Sequence, residues 1–234
     1  MFNGKTKAIT FSYDDGVTQD IRLIELFDKY GVKGTFNINS ELLGQNRMIG
    51  RDGEQATHNK VLPSEVNKIY KNHEIAVHTL THPNLTTLPE DEIIRQVEED
   101  RLKLSDLAGY EVIGMAYPCG GVNNDDRVAE IIKNHTGVKF SRTITSSFSF
   151  DKQSNLFRFN PTVYHNGDGF EKMKELADKF FSIESDEPQI FYIWGHSYEF
   201  DMKNNWDDME DFLKYISFRD DVFYGTNSEV LLEG

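Results

Sequence analysis

Ala8-Ile9-Thr10-Phe11-Ser12-Tyr13-Asp14-Asp15-Gly16 is the stretch from which this chain can be read. It opens as a short apolar run, a buried strand over Ala8–Phe11, and passes without a linker into two adjacent carboxylates and a glycine. Two carboxylates side by side at a strand end repel unless a cation or a shared proton relieves them. Taken alone, Asp-Asp-Gly is more often a capped turn, because Asp-Gly is a common turn pair. The rest of the chain decides between the two.

Outward from this segment the pattern repeats. Ile21, Ile24, Leu26, Phe27 and Tyr30 recur at helical spacing, and Gly31 lies where a helix stops. Thr35–Ile38 reads as a strand, a helix begins near Pro63, and Glu74–Val77 is the next strand. Pro89 stands at a first helical position, followed by a stripe of Ile93, Ile94, Val97, Leu104 and Leu107 that Gly109 ends. Val112–Tyr117 and Val138–Arg142 read as strands around a helix at Asp125–Asn134, which Gly137 closes. Thr145–His165 is rich in Ser, Phe and Asn, and reads as an irregular excursion or hairpin. Phe170–Phe181 and Trp206–Ser217 are expected helices flanking a strand at Ile190–Trp194. A last strand is expected at Val222–Tyr224 and a closing helix at Asn227–Leu232.

Such alternation implies an α/β fold with a parallel sheet and helices outside it. About seven units make a closed barrel more natural than an open sheet. No repeat, low-complexity tract or Pro/Gly-rich linker splits the chain, so one domain over 1–234 is expected. In folds of this class ligands gather where the strands end. The reactive residue types do fall just after each apolar run.

After the third run comes His78-Thr79-Leu80-Thr81-His82-Pro83. Two imidazoles four apart can share one metal, although such a pair alone is a weak signal. His73-Glu74 just before it is not the His-Glu-x-x-His of helical zinc proteases, because His73 and His78 are five apart and on a strand. We read His73 as structural. After the next run, Tyr117-Pro118-Cys119-Gly120-Gly121 allows a tight turn whose backbone N–H groups can face a ligand, or is simply a turn. Cys119 has no His or Asp beside it in sequence, which argues against a nucleophilic thiol. The late strand leads into Trp194-Gly195-His196, where His196 reads either as a general acid or as a hydrogen-bonded core residue. His58, His135 and His165 have no such company and stay unassigned.

Composition narrows the classes. The 234 residues carry a formal charge of -14, which disfavours nucleic acid or a polyanionic partner and suits a neutral or partly cationic glycan; solubility alone explains it equally well. One cysteine excludes an internal disulfide and fits a reducing compartment. No apolar run nears the ~18 residues of a membrane span, and the residues before the first strand are not expected to be a leader. The expectation is a cytoplasmic protein if Met1 is the native start, and a secreted or cell-wall associated one if a leader was trimmed. Nothing in the pattern speaks to oligomeric state.

Taken in order, Thr10–Gly16, Asn72–His82, Tyr117-Pro118-Cys119-Gly120 and the late His196 resemble the polysaccharide deacetylase family, carbohydrate esterase family four. The first two motifs are specific and the last two loose. The resemblance implies a distorted (β/α)7 barrel and one divalent metal, commonly zinc. It assigns Asp14 as general base, Asp15, His78 and His82 as metal ligands, the Cys119 backbone N–H as an oxyanion donor, and His196 as general acid. Tyr117 and Pro118 belong to the same substrate-binding turn. An open place on a three-ligand metal would admit water and the acetyl oxygen.

Three departures bear on the substrate. Ala116 stands where the family often has an Arg that orients the base; Arg142 and Arg158 are the candidates to replace it. Cys119 replaces an aromatic residue. Trp194 stands in a late motif that departs from the common one, and is expected to offer a stacking face. The expected reaction is removal of an N-acetyl group from an acetylated carbohydrate. The alternatives are O-acetyl removal from a saccharide such as xylan, an amidase acting on a small non-sugar amide, and a non-catalytic glycan-binding domain on the same barrel.

Overall fold

A computed structural model describes residues 1–51 and 53–232. Residues 52, 233 and 234, which the expected domain includes, lie outside the described residues.

Strand β1 (Lys7–Asp14) is buried along its whole length. That explains its continuous rather than alternating apolar character, since layers cover both of its faces. It pairs in parallel with β2 (Gly34–Ile38) on one side and β9 (Gln189–Gly195) on the other. Beyond β2 the sheet continues through β5 (Glu74–Val77), β6 (Gly114–Ala116) and β7 (Phe140–Arg142), and beyond β9 through β8 (Val163–Tyr164). A short β10 (Val222–Tyr224) joins the first residues of β1. All these pairings are parallel, and the sheet curls into a half-barrel of the distorted (β/α)7 type. Between its outer strands, Arg142 forms a parallel bridge to Phe159, and Thr143 N donates to Phe159 O at 2.9 Å.

Helix α1 (Asp20–Tyr30) presents Leu23, Ile24 and Phe27 to the sheet. The Phe27 ring lies 4.8 Å from that of Phe11, and Phe36 and Tyr13 complete the cluster. Full burial of each such side chain contributes about 1.5–3 kcal/mol. At the helix end Gly31 takes φ 65°, a left-handed cap at which glycine has no steric penalty. After the short α2 (Val66–Ile69), α3 (Glu90–Ile94) and α4 (Asp100–Ala108) continue one another through a π-turn at Arg95–Glu99. Helices α5 (Asp126–His135) and α6 (His165–Ser182) follow. Then come α7 (Tyr198–Lys203), α8 (Trp206–Ile216) and α9 (Asn227–Leu231).

Two features were not anticipated. An antiparallel hairpin, β3 (Met48–Arg51) with β4 (Glu54–Thr57), interrupts the β/α rhythm. Its sequence is mostly polar and short, so it carries no apolar alternation. It is held instead by Ile49 and Ala56 packing with Val17, Tyr198 and Met202, and by a Lys203–Glu54 ion pair at 2.6 Å. The Ser/Phe/Asn-rich segment is irregular as expected, but it closes with strand β8, and His165 begins a helix. Among the described residues no helix is long and apolar enough to cross a membrane.

Candidate active site

The C-terminal ends of β1, β5, β6 and β9 surround one cavity of about 710 Å³. β1 delivers Asp14 to its floor, only 2% exposed. Asp15 then takes φ 86° and Gly16 φ 60°. A Cβ on Gly16 would stand 2.9 Å from Ile38 Cγ2, so this turn has room for glycine alone. The two carboxylates thereby part and acquire different neighbours.

Asp14 faces Arg142, whose Nη2 lies 2.5 Å from both of its oxygens. Asn37 Nδ2 donates to Asp14 Oδ1 at 2.8 Å. Arg142 is fully buried, and its Nε donates to Ser12 Oγ at 3.1 Å. Burial alone would raise the Asp14 carboxyl; Arg142, then His78 and His196, outweigh it and hold the group below its ordinary range. Arg142 reaches this place because β7 lies beside β6 with Ala116 and Arg142 in register. The guanidinium missing at position 116 is thus supplied from one strand over. Arg158 lies elsewhere, paired with Asp126 at 2.6 Å and Asn124 at 2.9 Å.

Asp15 turns toward the imidazoles. His78 follows β5, and the loop after it passes through two left-handed residues, Thr79 at φ 69° and His82 at φ 63°. This coil brings the two rings to a 4.8 Å centroid separation. Ligand atoms of Asp15, His78 and His82 all lie within 4.8 Å of one another. Three ligands held about 2.0–2.2 Å from one ion lie somewhat closer than that, so modest inward adjustment completes such a site. His78 Nδ1 bonds the Ala116 carbonyl at 2.9 Å, which leaves its Nε2 as the free lone pair. That Nε2 is buried and has no hydrogen-bond partner. Burial pushes His78 down to about 4 and also lowers His82, so both rings are neutral donors at neutral pH. An N,N,O donor set with an orphaned, buried, neutral nitrogen fits a divalent transition metal.

The remaining expected residues line the same cavity, apart from Pro118. Tyr117 OH donates to Phe157 O at 2.8 Å, which fixes the turn that follows. Cys119 has φ 69°, and its sulfur lies 3.7 Å from His82 Nδ1. Burial, then Asp15, raises the thiol, which keeps it protonated and unsuited to attack. Trp194 is only 5% exposed. Arg142 lies over its ring and Tyr164 stacks on it, each at 4.4 Å. This corrects the expected sugar-stacking role, because both partners occupy the ring faces. The partly exposed Tyr164 presents more aromatic surface to the cavity.

His196 has a partner that sequence reading missed. Its Nδ1 lies 3.3 Å from Glu199 Oε2, and the Glu199 carboxylate also receives Asn166 Nδ2 at 3.1 Å and the Tyr164 hydroxyl. His165, left unassigned, stands 3.0 Å from Glu199 and 2.9 Å from the Tyr13 hydroxyl. Burial would lower His196, but Glu199 outweighs it and raises the ring to about 9. The spacing His196-Ser197-Tyr198-Glu199 was the available signal, since residues i and i+3 meet at a helix start. His58 and Lys60, also passed over, both contact Asp15.

A family model described as polysaccharide deacetylase matches residues 3–139. The chain belongs to the polysaccharide deacetylase family. The matched region holds Asp14, Asp15, His78, His82 and Cys119, while Arg142, Trp194 and His196 lie beyond it. Membership supports polysaccharide deacetylation, a hydrolase activity, as the reaction class. The family is generally metal-dependent.

Among solved structures, one similar fold is a mutant of a Bacillus anthracis pseudoenzyme of carbohydrate esterase family four, with restored enzymatic activity. It is 17% identical with a TM-score of 0.59, over 97% of this chain and 68% of that one. A Streptococcus pyogenes deacetylase in complex with acetate gives 17% identity and a TM-score of 0.57, over 70% of this chain and 68% of that one. A Bacillus cereus polysaccharide deacetylase gives 19% and 0.55, covering 70% of this chain and 49% of its own. The chain thus spans about half the length of that last protein. Identities this low speak for the fold. No curated protein matches the chain.

Proposed function

We propose that this protein hydrolyses acetyl groups, N-acetyl before O-acetyl, from a sugar or oligosaccharide, with Asp15, His78 and His82 holding one divalent metal, most suitably zinc. The observation that carries the reading is the meeting of that ligand triad with an arginine-held carboxylate, Asp14, on one cavity floor.

What a bound ion would supply there is Lewis acidity toward the acetyl carbonyl and a lowered pKa for water. The protein's own groups divide the remaining work. Asp14 is ionised at neutral pH, so it is ready to take a proton from the attacking water. Arg142 and Asn37 fix its orientation, and the low basicity that Arg142 imposes keeps it unprotonated before the step. The backbone N–H of Cys119 is a donor for the carbonyl oxygen as negative charge grows there. His196, protonated beside Glu199, gives its proton to the departing sugar nitrogen. The C–N bond breaks, water supplies the new C–O bond, and the products are acetate and a free amine. An ester substrate would leave as an alcohol by the same transfer.

Acetate release from small N-acetylated and O-acetylated sugars tests this, with the protein stripped of metal and then loaded with zinc. Zinc-dependent release from the amide supports the reading, and release from the ester alone moves it to an esterase. Inertness of the zinc-loaded protein toward both overturns it.

A further inference from the structure

Asp15 is held from behind by two side chains that the chemistry above does not use. Lys60 Nζ donates to Asp15 Oδ1 at 3.2 Å and also to the Asp15 backbone carbonyl. His58 Nε2 lies 3.1 Å from Asp15 Oδ2. Arg47 Nε donates to His58 Nδ1 at 3.1 Å, so neutral His58 carries its hydrogen on Nε2 and donates to the carboxylate. Both are interior groups, His58 at 0% and Lys60 at 4% exposure. They leave β4 two residues apart, and so come to the same side of an extended segment. That segment is pinned by Thr18 N to Asn59 O at 2.8 Å and by Lys60 N to Gln45 O at 2.8 Å. The unanticipated hairpin is therefore the arm that carries these two groups over the Asp-Asp turn.

Charge matching gives the arrangement its meaning. Asp14 has Arg142 and Glu199 has His196, and Asp15 has Lys60. The floor is balanced before any ion arrives. Outer partners of metal ligands ordinarily raise ligand basicity, as the Ala116 carbonyl does for His78. A lysine on the ligand carboxylate does the reverse. It competes for the same lone pairs and repels an incoming dication.

The geometry points to Lys60 as a built-in counter-cation that keeps Asp15 ordered without metal and weakens the site's hold on a divalent ion, while His58 aims the carboxylate. Both are positioning residues, and this inference rests on the metal-site reading above.

Zinc affinity of the metal-free protein, measured by competition with a chromophoric chelator, is the test. The cobalt(II) visible spectrum reports ligand geometry alongside it. Lys60→Gln keeps polar reach without charge, and is expected to bind zinc at least about tenfold tighter with an unchanged cobalt band. Lys60→Arg keeps the charge and should stay within about threefold of the parent. His58→Ala should bind zinc about tenfold or more weakly and shift the cobalt band. A folded Lys60→Gln protein that binds zinc no tighter than the parent overturns the inference. If it folds only with zinc present, and Lys60→Met does the same, the ion is replacing the ammonium and the inference stands. If neither variant folds even with zinc, Lys60 is purely structural and the inference falls. A parent protein that binds no zinc instead sinks the metal site itself.

Discussion

Arg142 Nη2 stands 2.5 Å from both carboxylate oxygens of Asp14, a residue 128 positions earlier in the chain. Arg142 is fully buried and Asp14 nearly so, so neither charge has water to fall back on. Breaking a buried pair by removing one partner costs about 3–5 kcal/mol. Arg142→Met is accordingly expected to lower Tm by many degrees and to cut turnover more than about 100-fold. Calorimetry, with kcat measured below the new transition, checks both. A variant as stable as the parent would mean that the pair contributes little.

The two adjacent carboxylates are expected to fail differently. Asp14→Asn should keep zinc at full occupancy yet lose about 100- to 10,000-fold in kcat, since a base is removed and three ligands remain. His78→Ala should lose both metal and activity. Elemental analysis of the purified variants beside their kcat values separates the cases. Loss of zinc from Asp14→Asn would reverse the roles given to Asp14 and Asp15.

His196, as the proposed acid, is expected to set an upper pH limit. Its raised pKa of about 9 means the ring carries its proton through neutral pH and loses it as pH climbs past that value. An acid catalyst works only while protonated, so kcat/KM should fall on an alkaline limb near pH 9. In Glu199→Gln the partner that outweighs burial is gone, and the limb should move to a markedly lower pH. A pH–rate profile for both proteins decides it, and an unmoved limb would take proton donation away from His196.

Asp20 is expected to govern stability rather than rate. It is fully buried, receives Tyr70 OH at 2.7 Å and Ser197 Oγ, and burial pushes it up to about 7 despite those hydrogen bonds. A carboxyl raised in the folded state favours folding most while it stays protonated. That contribution is full below the unfolded value of about 4 and disappears as pH rises through about 7, a swing on the order of 4 kcal/mol. Asp20→Asn should flatten this part of the stability curve, giving less dependence on pH between about 4 and 7 in urea titrations. A parent curve with no decline across that window would contradict the assignment.

Sequence and structure agree where the information is local. The strand ending in Asp14-Asp15-Gly16 and the His78–His82 pair are legible because a few consecutive residues set both identity and placement. The choice between Arg142 and Arg158 was not legible, because it depends on the β6–β7 register that sets Ala116 beside Arg142. Lys60 and His58 were passed over for a similar reason. Their hairpin is polar, is stabilised by distant Tyr198 and Met202, and carries no periodic signal. Trp194 shows the opposite error: a residue type suited to sugar stacking is spent inside, between a guanidinium and a tyrosine ring.

Asp15, Thr79, His82 and Cys119 all adopt left-handed backbone in the turns after β1, β5 and β6, and Asp15, His82 and Cys119 line one cavity. Each is a conformation that side chains other than glycine enter at some cost, most of all the β-branched Thr79. A screen for heat tolerance would therefore be drawn to glycine at His82, whose ring is only partly buried, and would gain stability there while erasing a proposed metal ligand, whereas glycine at Asp15 would leave buried Lys60 without its partner. At His82, robustness and the proposed turnover are thus set in opposition by one backbone angle.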